Sequence, residues 1–431
     1  MSEQAVTDQV RRRKVVYIPG YDPIHPRRYR ELYRKEGAAQ AEISGYDIAL
    51  SPKAKASGPY GWTVAAQIDG TSVEADIDVL VWSDIVRGSM SHSIPGTYLQ
   101  LLRTAFTYIA TGTLRRLMWL RKGPVIAALY PVGMLLAQLI VAVGLGVVAA
   151  RLLSFGLGLI GSAVLSLIGD LGNLDFTIFT SADTVAQVVV FGLVARWILQ
   201  WFKSKDGKFF AYYLMHDYAY SARWSGANPK ALEDRMAEFG DAVAEALAQD
   251  YDEVLVVGHS SGAHLGVSIL ADLIRAGRVP GNGPALGFLT LGQVVPMVSF
   301  LPRATRLRAD LAYLSARDEL AWVDVTAPGD GCAFALCDPV AVSGVAPADQ
   351  KWPLVISAAF TQTLSPETWA KLRWRFFRLH FQYLCAFDRP HDYDYFQITA
   401  GPVTLRERFA ERQPSKSRID VPASKYTSIA A

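Results

Sequence analysis

The chain carries one serine whose neighbours suit it to chemistry. Ser260 lies in Gly258-His259-Ser260-Ser261-Gly262, a Gly-x-Ser-x-Gly pattern whose glycines allow a backbone turn too sharp for other residues. A serine hydroxyl is a weak nucleophile until a histidine takes its proton and a carboxylate orients that histidine. The chemistry to look for is therefore attack on a carbonyl through an acyl-enzyme. Seven histidines are available. None falls with Cys, Asp or Glu at metal-ligand spacing, so neither a metal nor another cofactor is expected.

The letters of that pattern are common, and their setting gives them weight. The apolar run Val254-Leu255-Val256-Val257 precedes the motif and reads as a central parallel strand, and Ala263 to Ala276 follows with helical spacing. A strand-turn-helix of this kind lifts the serine above a sheet edge at a helix N-terminus, where developing negative charge is favoured. An ordinary tight turn is the alternative. Further strands are expected at Val15 to Ile18, Tyr46 to Leu50, Trp62 to Ile68, Val73 to Trp82, Leu286 to Leu291, Trp322 to Thr326 and Leu354 to Phe360. Helices are expected at Arg27 to Ala41, Lys230 to Gln249 and Ala304 to Ser315. The alternation predicts an α/β fold, a mostly parallel sheet flanked by helices.

The glycine-serine motif in this setting resembles the nucleophile elbow of α/β-hydrolase lipases and esterases. The resemblance implies a chain order of serine, acid, histidine. Asp330, in Pro328-Gly329-Asp330-Gly331 beyond the Trp322 strand, stands where that family has its acid; Asp338 is the second candidate, and a plain turn aspartate the bland one. Only His380 and His391 lie downstream as bases. His380 is favoured because it follows the final strand and begins a His-x-x-Tyr pattern seen in several esterases. The oxyanion hole would use the N–H of Ser261 and that of Tyr21, since Pro19-Gly20-Tyr21 resembles the His-Gly turn of the family with Pro in place of His. That turn follows the first strand, so the N-terminal hairpin common in the family is expected to be absent. His264 should pack between sheet and helix, and His259 should point away from the nucleophile. His25, His92 and His216 are read as surface or structural, with His216 also a pocket-lining candidate.

An apolar insertion interrupts this core. Gly123 to Ala150 has no charged residue and exceeds the roughly 20 residues that a membrane-crossing helix needs. Two further apolar segments, Leu152 to Gly169 and Thr184 to Trp201, compete for a second crossing, the remaining one being re-entrant or interfacial. The expected organisation is a polar tail (1–13), the first part of the core (14–110), a transmembrane insertion (111–204), the second part of the core (205–400) and a polar, disordered tail (401–431). If both core parts share one sheet, the crossings are even in number. Arg115, Arg116, Arg121 and Lys122 before the first span, and Arg196, Lys203, Lys205 and Lys208 around the end of the last, place both flanks in the cytoplasm; Arg151, Asp170, Asp175 and Asp183 lie between.

Mean hydropathy of +0.17 beside 19% charged residues fits a folded domain with a membrane segment. A net charge of +3 with dispersed basic residues excludes nucleic acid as a partner. Cys332, Cys337 and Cys385 leave an odd thiol in any disulfide scheme, pointing to a reducing compartment. Met1 to Lys14 lacks the apolar stretch of a secretory signal. The expected activity is hydrolysis of an ester of an apolar or lipid-like substrate drawn from the bilayer, with Trp197 and Trp201 at headgroup level. Acyl transfer by the same residues and a non-catalytic membrane scaffold are the alternatives.

Overall fold

A computed structural model describes residues 9–53, 58–91, 93–168 and 176–430. The chain divides into two compact units, one of Met1–Met90, Arg103–Ala127 and Ala219–Ala431, the other of Ser91–Leu102 and Ala128–Tyr218.

The first unit is α/β. Its strands are β1 (Arg12–Ile18), β2 (Asp47–Pro52), β3 (Tyr60–Ile68), β4 (Thr71–Val79), β5 (Glu253–His259), β6 (Ala285–Leu291), β7 (Leu320–Thr326) and β8 (Leu354–Ser357). They form one sheet in the order β2-β3-β4-β1-β5-β6-β7-β8. The six strands from β4 to β8 are parallel, while β2 and β3 pair antiparallel at one edge. A two-residue turn, Asp69-Gly70, joins β3 to β4 with both residues at positive φ, as tight hairpins require. An antiparallel pair thus occupies the sheet edge, reached after β1 instead of before it.

Every residue of β5 and β7 is buried, because a parallel strand is covered on both faces. Val15, Tyr17, Leu255, Val257, Val323 and Val325 point to a core shared with Tyr29 and Tyr33 of the helix Arg27–Ser44 and with Tyr395 and Phe396. On the other face the helices Lys230–Leu247, Gly262–Arg275 and Thr305–Ser315 pack together. Phe288 of β6 lies so close to Gly266 that a Cβ there would sit 2.6 Å from its ring. The expected final strand is shorter than its apolar run: β8 ends at Ser357, and Phe360 starts a short helix.

The two expected tails are corrected in part. Arg13 is fully buried within β1 and pairs with Glu253 at 2.6 Å. Its guanidinium also donates to the carbonyls of Gly401 and Val403, and Glu253 accepts from the N–H of Leu405. The segment after Gly401 is therefore folded onto the sheet, with Leu405, Phe409 and Ala423 buried. Buried charges persist when paired and fully hydrogen-bonded, and this pair spends its remaining bonds on the C-terminal backbone.

Asp324 on β7 is also buried, with Oδ1 accepting from Thr290 Oγ1 at 2.6 Å and Oδ2 without a partner among the described residues. Burial raises its pKa from 3.8 to about 8. Folding therefore takes up a proton, and the stability this gives is complete below the ordinary carboxylate range and lost as pH rises towards 8. Asp324→Asn should flatten that dependence. Thermal melts between about pH 5 and 8 should show the wild type losing stability relative to the variant as pH rises, on the order of 1 kcal/mol per pH unit at first and less near pH 8.

The second unit holds two helices long and apolar enough to cross a membrane. The helix Lys122–Ile168 starts in the first unit and continues through the second, and Phe176–Ser204 follows. Up to Ile168 the first two apolar segments of the sequence are thus one continuous helix of 47 residues, Gly169 lying outside the described residues. Arg151 separates them by charge, but arginine is a good helix former and no proline or cap stands there. The third segment lies in a single helix, long and apolar enough to cross a membrane. The two helices run antiparallel: Gly146 meets the Phe191 backbone, and Ser154 donates to Asp183 at 2.7 Å. Small residues at such a crossing let the backbones approach. Asp170 and Asp175 fall outside the described residues.

Candidate active site

Strand β5 delivers Ser260 into a strained turn. Its φ is +56°, a left-handed value that costs a residue with a side chain. Two bonds hold it, from Ser260 N–H to the Leu291 carbonyl (2.9 Å) and from Ala263 N–H to the Ser260 carbonyl (3.1 Å). Both motif glycines are required by close approach. A Cβ on Gly258 would lie 2.7 Å from the Gly262 carbonyl oxygen, and one on Gly262 only 2.0 Å from that of Ile18.

The loop after β1 lies on the serine. A Cβ on Gly20 would come within 3.0 Å of Ser260 Cβ and 3.4 Å of its Oγ. Trp82 Nε1–H donates to the Pro19 carbonyl at 3.0 Å, and the Tyr21 ring packs against Trp82 and Tyr220. Tyr21 and Ser261 therefore stand next to Gly20 and Ser260 respectively, the latter buried at the start of the helix Gly262–Arg275.

The loop after β7 supplies Asp330, which is buried. Its Oδ2 lies 2.7 Å from Nδ1 of His380, the last residue of the helix Phe376–His380. Tyr383 donates its hydroxyl to the same oxygen at 3.1 Å, and Cys332 N–H donates to Oδ1 at 2.8 Å. The Tyr383 hydroxyl also accepts from Ala327 N–H. With Nδ1 on the carboxylate, Nε2 is the nitrogen left to serve another group. Gly292, at positive φ, makes room: a Cβ there would sit 2.7 Å from the Tyr383 ring and 3.0 Å from His380 Cε1. Leu291, just before it, accepts the Ser260 N–H. One strand end, that of β6, thus touches both the serine turn and the histidine.

His259, the residue before Ser260, packs against the candidate base. Its ring lies 4.9 Å from that of His380, and its Nε2 is 3.0 Å from the His380 carbonyl. Burial, aided by the neighbouring His380, pushes the His259 imidazole down to about 3. It is neutral and donates from Nε2, bracing the backbone of His380.

The other candidates lie elsewhere. Asp338 caps the helix Pro339–Val342, accepting from Val340 and Ala341 N–H, and also accepts from Gln350. His391 is exposed and edges a surface depression of about 680 Å³ with Gly329, Asp392 and Arg412. His264 is half-buried on the first turn after Ser260; its Nδ1 has no partner among the described residues, and burial lowers its pKa to about 4. His25 packs against Tyr60, and His216 is buried in the helical unit beside the Tyr212 carbonyl. His92 lies outside the described residues. Trp197 and Trp201 are exposed on Phe176–Ser204.

Sequence reasoning missed Tyr383, His259 and Gly292 as parts of the site. The His-x-x-Tyr spacing was the available signal for Tyr383, since three residues of helical chain bring two side chains to one face. Tyr383→Phe should cost about 1–3 kcal/mol in a denaturation experiment, because it leaves the buried Ala327 N–H and one Asp330 lone pair without their partner. An unchanged melting curve would show that water replaces the hydroxyl.

Asp330, Cys332 and His380 also offer one ligand atom each within 4.8 Å of one another, close enough for a metal ion. Both Asp330 oxygens and His380 Nδ1 are already engaged in the bonds above. No protein-family model, curated protein or solved structure matches the chain.

Proposed function

We propose that this chain is a serine hydrolase of the α/β-hydrolase type, anchored in a membrane by its two long apolar helices, with its catalytic unit in the cytoplasm. The observation that carries the reading is the buried Asp330–His380 pair at 2.7 Å, set against the same strand end that anchors Ser260 in its left-handed turn. The sheet is compatible with that fold. Its antiparallel edge pair, β2 and β3, supplies after β1 the hairpin that the family usually carries ahead of it.

In this reading Ser260 Oγ attacks the ester carbonyl carbon as its proton passes to His380 Nε2. Asp330 holds Nδ1–H and stabilises the imidazolium. The backbone N–H groups of Tyr21 and Ser261 receive the charge that develops on the carbonyl oxygen. Collapse of the tetrahedral intermediate expels the alcohol, which takes the proton from His380 and leaves an acyl group on Ser260. Water then attacks, again giving its proton to His380, and the carboxylic acid departs as Ser260 is restored. An apolar acyl chain is the natural substrate for a site built on a chain with two bilayer-length helices.

A metal centre on Asp330, Cys332 and His380 is the second reading, supported by their mutual spacing. The test is turnover of a panel of lipid and short-chain esters by the full chain in lipid discs, with and without a strong chelator. The hydrolase reading expects ester cleavage untouched by the chelator. Cleavage abolished by the chelator and restored by a divalent ion would replace it with the metal reading, and acyl products formed on an added alcohol would make it a transferase.

A further inference from the structure

Lys371 to Arg378 reads Lys-Leu-Arg-Trp-Arg-Phe-Phe-Arg and ends two residues before His380. Between Glu367 and Asp388 there is no acidic residue. Lys371, Arg373, Trp374, Arg375 and Phe376 are all exposed, Trp374 to 72%. Apolar rings alternating with cations on an exposed stretch make a poor solvent-facing surface but a good fit to a lipid headgroup layer, where rings sit at the interface and cations meet phosphate.

Place decides the occupant. Phe376 packs on Gly331, where a Cβ would lie 3.2 Å from its ring. Gly331 in turn meets Gly123, whose Cβ would lie 3.6 Å from Gly331 Cα. Gly123 is in the first turn of Lys122–Ile168, the longer of the two bilayer-length helices. The basic, aromatic stretch therefore adjoins the point where the chain sets out along that helix, and an anionic leaflet complements its charge. We propose that residues 371–378 dock on the anionic headgroup layer of that same bilayer, with Trp374 inserted at the interface and Lys371, Arg373 and Arg375 on lipid phosphates. The proposal rests on the membrane reading above. It extends that reading by making the approach to His380 a lipid-facing edge, with anionic lipid as the ligand of the site.

The test reads Trp374 directly. The full chain is placed in lipid discs carrying brominated acyl chains, made with zwitterionic lipid alone or with added phosphatidylserine, and Trp374 emission is taken as the difference between wild type and Trp374→Phe. Quenching in the phosphatidylserine discs, relieved by high salt, is the expected result. Arg373→Gln with Arg375→Gln should reduce the ratio of docked to free segment about 25-fold, about fivefold per cation. An unquenched Trp374 in both kinds of disc overturns the proposal and would direct attention to a protein partner. Quenching that ignores both salt and lipid charge overturns it too, since headgroup recognition would then be absent. A chain that does not enter discs at all sinks this proposal together with the membrane reading. Docking in a chain whose Ser260 is inert leaves the proposal standing and removes only the chemistry.

Discussion

Alanine in place of Ser260 is expected to reduce ester turnover by about a millionfold, with melting temperature and incorporation into lipid discs close to wild type. The size follows from what the hydroxyl does: without it there is no acyl-enzyme, and only the residual catalysis of the oxyanion donors is left. The fold should tolerate the change because Ser260 is half-buried and its backbone N–H and carbonyl, which hold the turn, are kept. Alanine must still adopt φ near +56°, a cost the serine already bears. Parallel assays of turnover and thermal melting on purified protein separate the two effects. Most of the activity surviving in Ser260→Ala would remove the nucleophile from the account.

The second large effect is a contrast between histidines. His380→Ala should lower turnover by several orders of magnitude, because it deletes the base held on the buried Asp330 carboxylate. His391→Ala should leave turnover nearly unchanged, since His391 is exposed at the edge of a surface depression. Groups acting as one machine are not additive, so Ser260→Ala with His380→Ala should be no slower than either alone. Steady-state kinetics of the four proteins decide it. The reverse pattern, loss with His391→Ala only, would move the base to the later loop.

Much of this arrangement could be read from the residues. Parallel strands are buried on both faces, so β1, β5, β6 and β7 announce themselves as apolar runs, and the glycines around Ser260 mark a turn that only they can make. Asp330 and His380 were named from chain order and a family resemblance, and the structure brings their side chains together. What could not be read depends on contacts between distant residues. The C-terminal segment is tied down by bonds from Arg13 and Glu253 to main-chain groups, a tie that leaves no periodic trace in its own sequence. His259 faces His380 because a helix end from far along the chain packs against it, which strand alternation cannot foretell. The break between the first two apolar segments was read from the charge of Arg151, yet the hydrogen bonds of a helix pass such a residue without interruption.

The most direct measurement is covalent labelling of the full chain, in its membrane, by a fluorophosphonate that reacts only with an activated serine. The account predicts one labelled residue, Ser260, with labelling lost in Ser260→Ala and His380→Ala and kept in His391→Ala. Folded protein that takes up no label, or label on a different serine, would contradict it and leave the fold as a membrane scaffold or the nucleophile elsewhere.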